Sequence, residues 1–229
     1  MIVRVSLTPP APGAAGGPGW TGVAIDVLRA TTTLTVALSN GAAGVVPYGD
    51  TAEALRHRER DPRALVCGER EGRIVAGFDR GNSPFEFGRE VVEGRTLAFA
   101  STNGSRALLA LERCDARWLG AFVNASALLR AVRGAAKLHV VCAGKLGRFA
   151  LEDAAFAGWL CASLAREGAT LDGGAARLVS RLAPANAEEA RARVEGASHA
   201  RYLGALGPEF ARDVAFCATM DAVRDAFRV

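Results

Sequence analysis

The sequence predicts an α/β protein: a layered α/β/α fold on a mainly parallel sheet, long enough for two small lobes, with a helical C-terminal third. Three observations predict it. Short apolar segments alternate with segments of helix length, which is the pattern of βα units. The segment Leu138-His139-Val140-Val141-Cys142 is apolar almost throughout, as suits a strand covered on both faces. Beyond Pro184 only helix-forming segments remain.

Taken in order, strands are expected at 2–7, 22–25, 44–47, 64–67, 96–100, 117–119 and 138–142. The loop 8–20 is rich in proline and glycine, which break regular structure. A helix over 31–40 is closed by Gly41. A polar helix over 50–60 begins at Asp50, whose carboxylate can accept from its first free N–H groups. Further helices are expected at 104–112, 125–132 and 149–166. His139, inside an apolar strand, reads as a half-buried strand residue. The chain reads as a single catalytic unit over 1–229, and the Gly/Ala-rich stretch 168–176 is the hinge or surface loop at which two lobes would divide.

Composition narrows the function. Half the residues are hydrophobic and 23% are charged, which excludes disordered, collagen-like and coiled-coil chains. The 28 basic residues exceed the 24 acidic ones by a net +4, and all but Lys137 and Lys145 are arginines. They are scattered among acids, as in His57-Arg58-Glu59-Arg60-Asp61, so no nucleic-acid surface is expected. No apolar run approaches the roughly 20 residues of a membrane span. The N-terminal segment reads as neither a signal nor a transit peptide. Five cysteines with no CxxC pair read as free thiols in a reducing cytoplasm, and the three histidines pair with none of them at zinc-ligand spacing.

The chemistry is expected where polar clusters follow strands: 26–33, 68–72, 101–105, 120–124 and 143–145. In a parallel sheet these loops share the carboxyl edge, where open α/β folds bind ligands. In a chain with few Asn and Lys, Asn82, Asn103, Asn124 and Lys145 all fall in or beside these loops. Thr31, Thr32 and Thr33 begin one helix and the 101–105 loop another, either as ordinary caps or as anion sites at helix N-termini. Asp26-x-x-Arg29 offers a carboxylate for metal or water and a guanidinium that can fork onto phosphate, or else an internal ion pair. The segment 77–86 is dense in hard oxygen donors, and Glu152-Asp153 puts two acids in an apolar helix. Cys142-x5-Arg148 has the layout of a cysteine phosphatase, with glycines misplaced and Phe149 where a hydroxyl residue usually follows.

At these residues the chain resembles the 2-phosphosulfolactate phosphatase family. The matching strings are IDVLRATTT at 25–33, GEREG at 68–72, GFDRGNSPFE at 77–86, STNGSRA at 101–107, GAFVNA at 120–125 and FALEDAAFAG at 149–158, with 198–218 fitting as well. The resemblance implies a magnesium-dependent phosphohydrolase that converts 2-phosphosulfolactate to 3-sulfolactate and phosphate in coenzyme M biosynthesis. Arg80, Ala121, Ser101 and Ser105 depart from the family pattern.

Combining the resemblance with the loop positions gives a working set. Asp26, Arg29, Asp79, Asn103 and Asp153 are the expected catalytic residues, and Mg²⁺ is expected on Asp26, Asp79, Glu152 and Asp153. The small anionic substrate is expected on Thr31, Thr32, Arg70, Asn82, Ser83 and Thr102, with Gly104, Asn124 and Lys145. A covalent aspartyl-phosphate on Asp26 stays open, although Leu28 replaces the second acid of an Asp-x-Asp motif. The competing classes are a non-catalytic anion- or nucleotide-binding protein and a metal-independent phosphatase using Cys142 and Arg148. The apolar C-terminal third offers a surface for a homodimer.

Overall fold

The computed structural model describes residues 1–229. Its strands are β1 Ile2–Ser6, β2 Thr21–Ile25, β3 Gly44–Pro47, β4 Leu65–Arg70, β5 Arg73–Ile74, β6 Thr96–Ala100, β7 Ala116–Gly120, β8 Lys137–Cys142 and β9 Thr170–Asp172. Its helices are α1 Ala30–Ser39, α2 Thr51–Arg60, α3 Arg89–Val92, α4 Gly104–Ala110, α5 Ala125–Val132, α6 Leu151–Arg166, α7 Gly174–Ser180, α8 Ala187–Glu195, α9 Ser198–Gly204 and α10 Pro208–Cys217. Short 3₁₀ turns occupy Pro84–Glu86 and Phe122–Asn124. No helix is long and apolar enough to cross a membrane.

The fold is α/β and mainly parallel, with two sheets. The first has the order β7-β2-β8-β1-β9 and is parallel throughout. The second has the order β3-β6-β4-β5, with only the short β5 antiparallel. The chain leaves the first sheet through α1, builds the second, and returns through α4. The stretch 168–176 forms β9 and the start of α7, and β9 pairs with β1, which places it within the first sheet's layers.

Side-chain alternation explains the stacking, because successive strand residues face opposite sides. Val23, Ile25, Val140 and Cys142 face one core, with Leu128 of α5, Phe156 of α6 and Val214 of α10. Their neighbours Ala24 and Val141 face a second core, which holds Leu34 of α1 and Leu108 of α4. Leu65, Cys67, Leu97 and Phe99 of the second sheet enter that same core from its far side. Val66, Ala98 and Ala100 face outward against Ala54 of α2 and Phe78. The layers therefore run α5/α6, first sheet, α1/α4, second sheet, α2. Strands β2, β8, β4 and β6 are buried on both faces, which is why they read as largely continuous apolar runs, whereas β1 exposes Ile2 and Arg4 on one face.

Local chemistry sets the element ends. The Asp50 carboxylate accepts from the N–H groups of Ala52 at 2.8 Å and Glu53 at 3.0 Å, so the expected cap of α2 is present. Gly68 in β4 has φ +138°, and a Cβ there would lie 1.9 Å from the Ala100 carbonyl oxygen. Only glycine lets β4 and β6 close at this point and carry Glu69 and Thr102 onward side by side.

A cleft where two sheets end

The carboxyl ends of β2 and β8 from the first sheet meet those of β4 and β6 from the second around a cleft of about 310 Å³. Asp26, Glu69, Thr102, Asn103 and Lys145 enter it from these four ends, and His199 and Tyr202 of α9 form another wall. The convergence at strand ends expected for one sheet is thus built from two.

Asp26 ends β2 and is almost fully buried. Its Oδ1 accepts from the Ala30 N–H at 3.2 Å, and Oδ2 is left to the cleft. Gly104 makes room for it: a Cβ there would lie 2.7 Å from Asp26 Oδ2 and 2.4 Å from the Ala30 Cβ. Burial pushes the Asp26 carboxyl up to about 7, while the nearby His199 and the Ala30 N–H oppose the shift and Glu69 and Glu152 add to it.

Asp153 joins two loops. Its Oδ1 accepts from Val27 N–H and its Oδ2 from Gly144 N–H, each at 2.9 Å. Burial, then Glu152 and Asp26, hold its carboxyl well above the usual range, against the two N–H groups. Glu69 does the same for the second sheet, accepting from Gly72 N–H and Thr102 N–H at 2.8 Å each. Glu152, 2% exposed, has its Oε1 3.2 Å from His199 Nδ1. Lys145 lies 3.9 Å from the centroid of the Tyr202 ring, a cation–π contact. Asn82 and Thr102 line this cleft, and Asn82 Oδ1 and Thr102 Oγ1 are buried there without a hydrogen-bond partner.

The family model described as 2-phosphosulpholactate phosphatase matches residues 11–226. The chain belongs to the 2-phosphosulfolactate phosphatase family. A probable 2-phosphosulfolactate phosphatase of Thermotoga petrophila is 40% identical over 202 residues, covering 88% of this chain and 85% of that protein. One from Synechococcus sp. (strain JA-3-3Ab) is 38% identical over 204 residues, covering 87% of this chain and 84% of its own. One from Clostridium acetobutylicum is 32% identical over 206 residues, covering 89% and 87%.

In this member of the 2-phosphosulfolactate phosphatase family, Asp26, Asn82, Thr102, Asn103 and Lys145 of the expected set line one cleft. Gly104 touches it through Asp26. Other residues of the expected set lie elsewhere or are engaged within the chain. Asp79 lies outside: its Oδ2 accepts from Val66 N–H at 2.8 Å and its Oδ1 pairs with Arg58 at 2.7 Å. Partial burial lifts its carboxyl, but Arg58 and the Val66 N–H outweigh burial and hold it below the usual range.

Arg29 lines the cleft but is not a free fork. It pairs with buried Asp213 at 2.5 Å and donates to the Gly72 carbonyl at 2.6 Å, with its guanidinium over Phe210. Arg70 donates to the carbonyl of its neighbour Glu69 at 2.8 Å. The hydroxyls of Thr31 and Thr32 bond backbone carbonyls of the β2 loop, at 2.9 Å each, and both residues are fully buried. Ser83 donates to Asp213 at 2.7 Å and lines a neighbouring hollow. Asn124 closes its own turn, accepting from Ala121 N–H and donating to the Leu119 carbonyl at 3.1 Å each.

The cysteine layout is also corrected. Cys142 is 1% exposed within the first core, and burial holds its thiol well above the usual value. Such a thiol supplies no thiolate. Arg148 instead closes a tight turn, exchanging backbone hydrogen bonds with Lys145 at 2.9 and 3.0 Å.

The expected site set left out Glu69, His199, Tyr202 and Asp213, although 68–72 and 198–218 were among the matching segments. Asp213 carried a signal: it falls on the apolar stripe Phe210, Asp213, Val214, Cys217 of α10, where an acid requires a buried partner.

Proposed function

We propose that this chain hydrolyses 2-phosphosulfolactate, or a closely similar small phosphate ester, to 3-sulfolactate and phosphate in the cytoplasm, and that it requires Mg²⁺. The observation that carries the reading is the buried Asp26, one oxygen turned into a cleft that also holds Lys145, Asn103 and the unpaired Asn82 and Thr102. Family membership supplies the substrate class. The five free cysteines suit a reducing compartment.

Proteins commonly bind Mg²⁺ through only one or two carboxylates together with water and substrate oxygens. No three His, Cys, Asp or Glu side chains are grouped to cage a metal. Asp153 and Glu69 each give both oxygens to backbone N–H groups, and Glu152 faces His199. Asp26 lines the cleft and keeps one oxygen without a protein partner, so it would be the anchor for Mg²⁺. Bound there, the ion would neutralise charge on the phosphate oxygens.

The chain's own residues do the positioning. Lys145 meets an anionic group of the substrate, and the amide of Asn103 and the hydroxyl of Thr102 donate to others. Hydrolysis of a phosphate ester depends mostly on such positioning and charge neutralisation. The acids beside the anion site argue against a pure anion binder, which they would repel.

The test is phosphate release from 2-phosphosulfolactate with Mg²⁺ and with excess EDTA. Release that needs Mg²⁺ is expected. Release undiminished by EDTA would overturn the metal assignment, and affinity without release in either condition would make the chain a binding protein.

A further inference from the structure

We propose that His199 is the proton donor to the leaving alkoxide oxygen, with Glu152 as its positioning residue. The inference rests on the phosphatase reading above.

His199 opens α9, and its ring lines the same cleft as Asp26. Its side chain is 13% exposed, and its Nδ1 lies 3.2 Å from Oε1 of Glu152, which is 2% exposed. A buried carboxylate facing one ring nitrogen fixes both the orientation and the tautomer of the ring. Nδ1–H is committed to Glu152, and in the imidazolium form Nε2 carries a second proton, the one left for a substrate in the cleft.

The reaction needs such a group. Phosphoryl transfer passes through a loose transition state in which charge gathers on the leaving oxygen. Here that oxygen becomes the alkoxide of a 2-hydroxy acid, which departs poorly unless protonated. Three of the other polar side chains of the cleft are already engaged within the chain. The Tyr202 hydroxyl donates to the Glu71 carbonyl at 3.0 Å, Lys145 sits over the Tyr202 ring, and both Glu69 oxygens accept backbone N–H groups. The charged groups that share the cleft with His199 are Asp26 and Arg29 after β2, Glu69 and Glu71 at the end of β4 and Lys145 after β8, with Glu152 facing it from α6 and Tyr202 on its own helix.

In the step, water oxygen bonds to phosphorus as the bond from phosphorus to the ester oxygen breaks. The proton on Nε2 passes to that ester oxygen and gives the alcohol. The added water leaves as dihydrogen phosphate, which returns one proton to the imidazole.

The experiment compares wild type with His199→Gln, which keeps a polar side chain beside Glu152, on two esters. These are 2-phosphosulfolactate and 4-nitrophenyl phosphate, whose leaving group departs without a proton. For 2-phosphosulfolactate, kcat is expected to fall on the order of 10²–10⁴-fold with KM little changed. For the aryl ester the loss is expected within about tenfold. Glu152→Gln is expected to lower kcat on 2-phosphosulfolactate with KM little changed and to spare the aryl ester in the same way. Equal losses on both esters, in either variant, would overturn the assignment. Wild type that releases no phosphate from 2-phosphosulfolactate would overturn both readings, since His199 then has no alkoxide to protonate.

Discussion

Asp26 and Asp79 are the same residue type, each placed near a strand and a turn, and their surroundings drive them in opposite directions. Asp26 is buried among other acids, and its carboxyl rises to about 7 from an ordinary 3.8. Asp79 is a third exposed and held by Arg58 and a backbone N–H, and its carboxyl falls. A raised folded-state value means that the folded chain holds its proton longer than the unfolded chain. Stability therefore drops as pH climbs from about 4 to about 7 and stays reduced above. Three units correspond to roughly 4 kcal/mol. Melting temperatures in EDTA should show Asp26→Asn more stable than wild type at pH 8, with the difference shrinking toward pH 4. For Asp79 the sign reverses: its contribution is present above the unfolded value and is lost only as pH falls below it. Asp79→Asn should cost no more than about 1 kcal/mol at pH 8, as for other part-exposed pairs. A less stable Asp26→Asn at pH 8 would mean that the acid cluster is already compensated in the metal-free chain.

At the scale of elements, α10 is held by its apolar face in the first core and by one buried ion pair. Asp213 joins Arg29 of the β2 loop and Ser83 of the segment after β5, so a single carboxylate ties three segments. Both partners of the ion pair are nearly inaccessible, at 3% and 2%. Removing one leaves a buried charge alone, which typically costs 3–5 kcal/mol. Asp213→Ala should lower unfolding stability by about that amount, read from the urea midpoint, and a loss under about 1 kcal/mol would mean that water reaches Arg29. Most strands and the helices between them were legible in the sequence, because caps, glycine stops and apolar periodicity are local, whereas the short β5, α3 and β9 were not. The Arg29–Asp213 pair was not, because 184 residues separate its members and no local pattern joins them. The threonines after β2 misled for a related reason. A hydroxyl at a helix start looks the same in sequence whether it faces a ligand or a carbonyl, and here the carbonyls took Thr31 and Thr32.

The whole molecule differs from its sequence reading in having two sheets. Strand segments announce their burial on both faces but not which sheet they join, since a covering helix looks the same from either side. Here α1 and α4 serve both sheets at once, and Leu34, Leu108, Phe99 and Val141 share one core. The cleft depends on that shared layer, because Asp26 and Asn103 reach it from different sheets. The layer should also make the two halves unfold together. Trp20, Trp118 and Trp159 all lie outside the second sheet's residues 44–100, so tryptophan fluorescence reports only the first sheet and its helices. Phe99, fully buried in the second sheet, points into the shared core. Phe99→Ala should cost about 3–5 kcal/mol, and under cooperative unfolding the tryptophan midpoint in urea must move by the full amount. If the second sheet were an independent lobe, that midpoint would stay at its wild-type position while circular dichroism showed an earlier transition. The shared core predicts coincident transitions by both probes, shifted together.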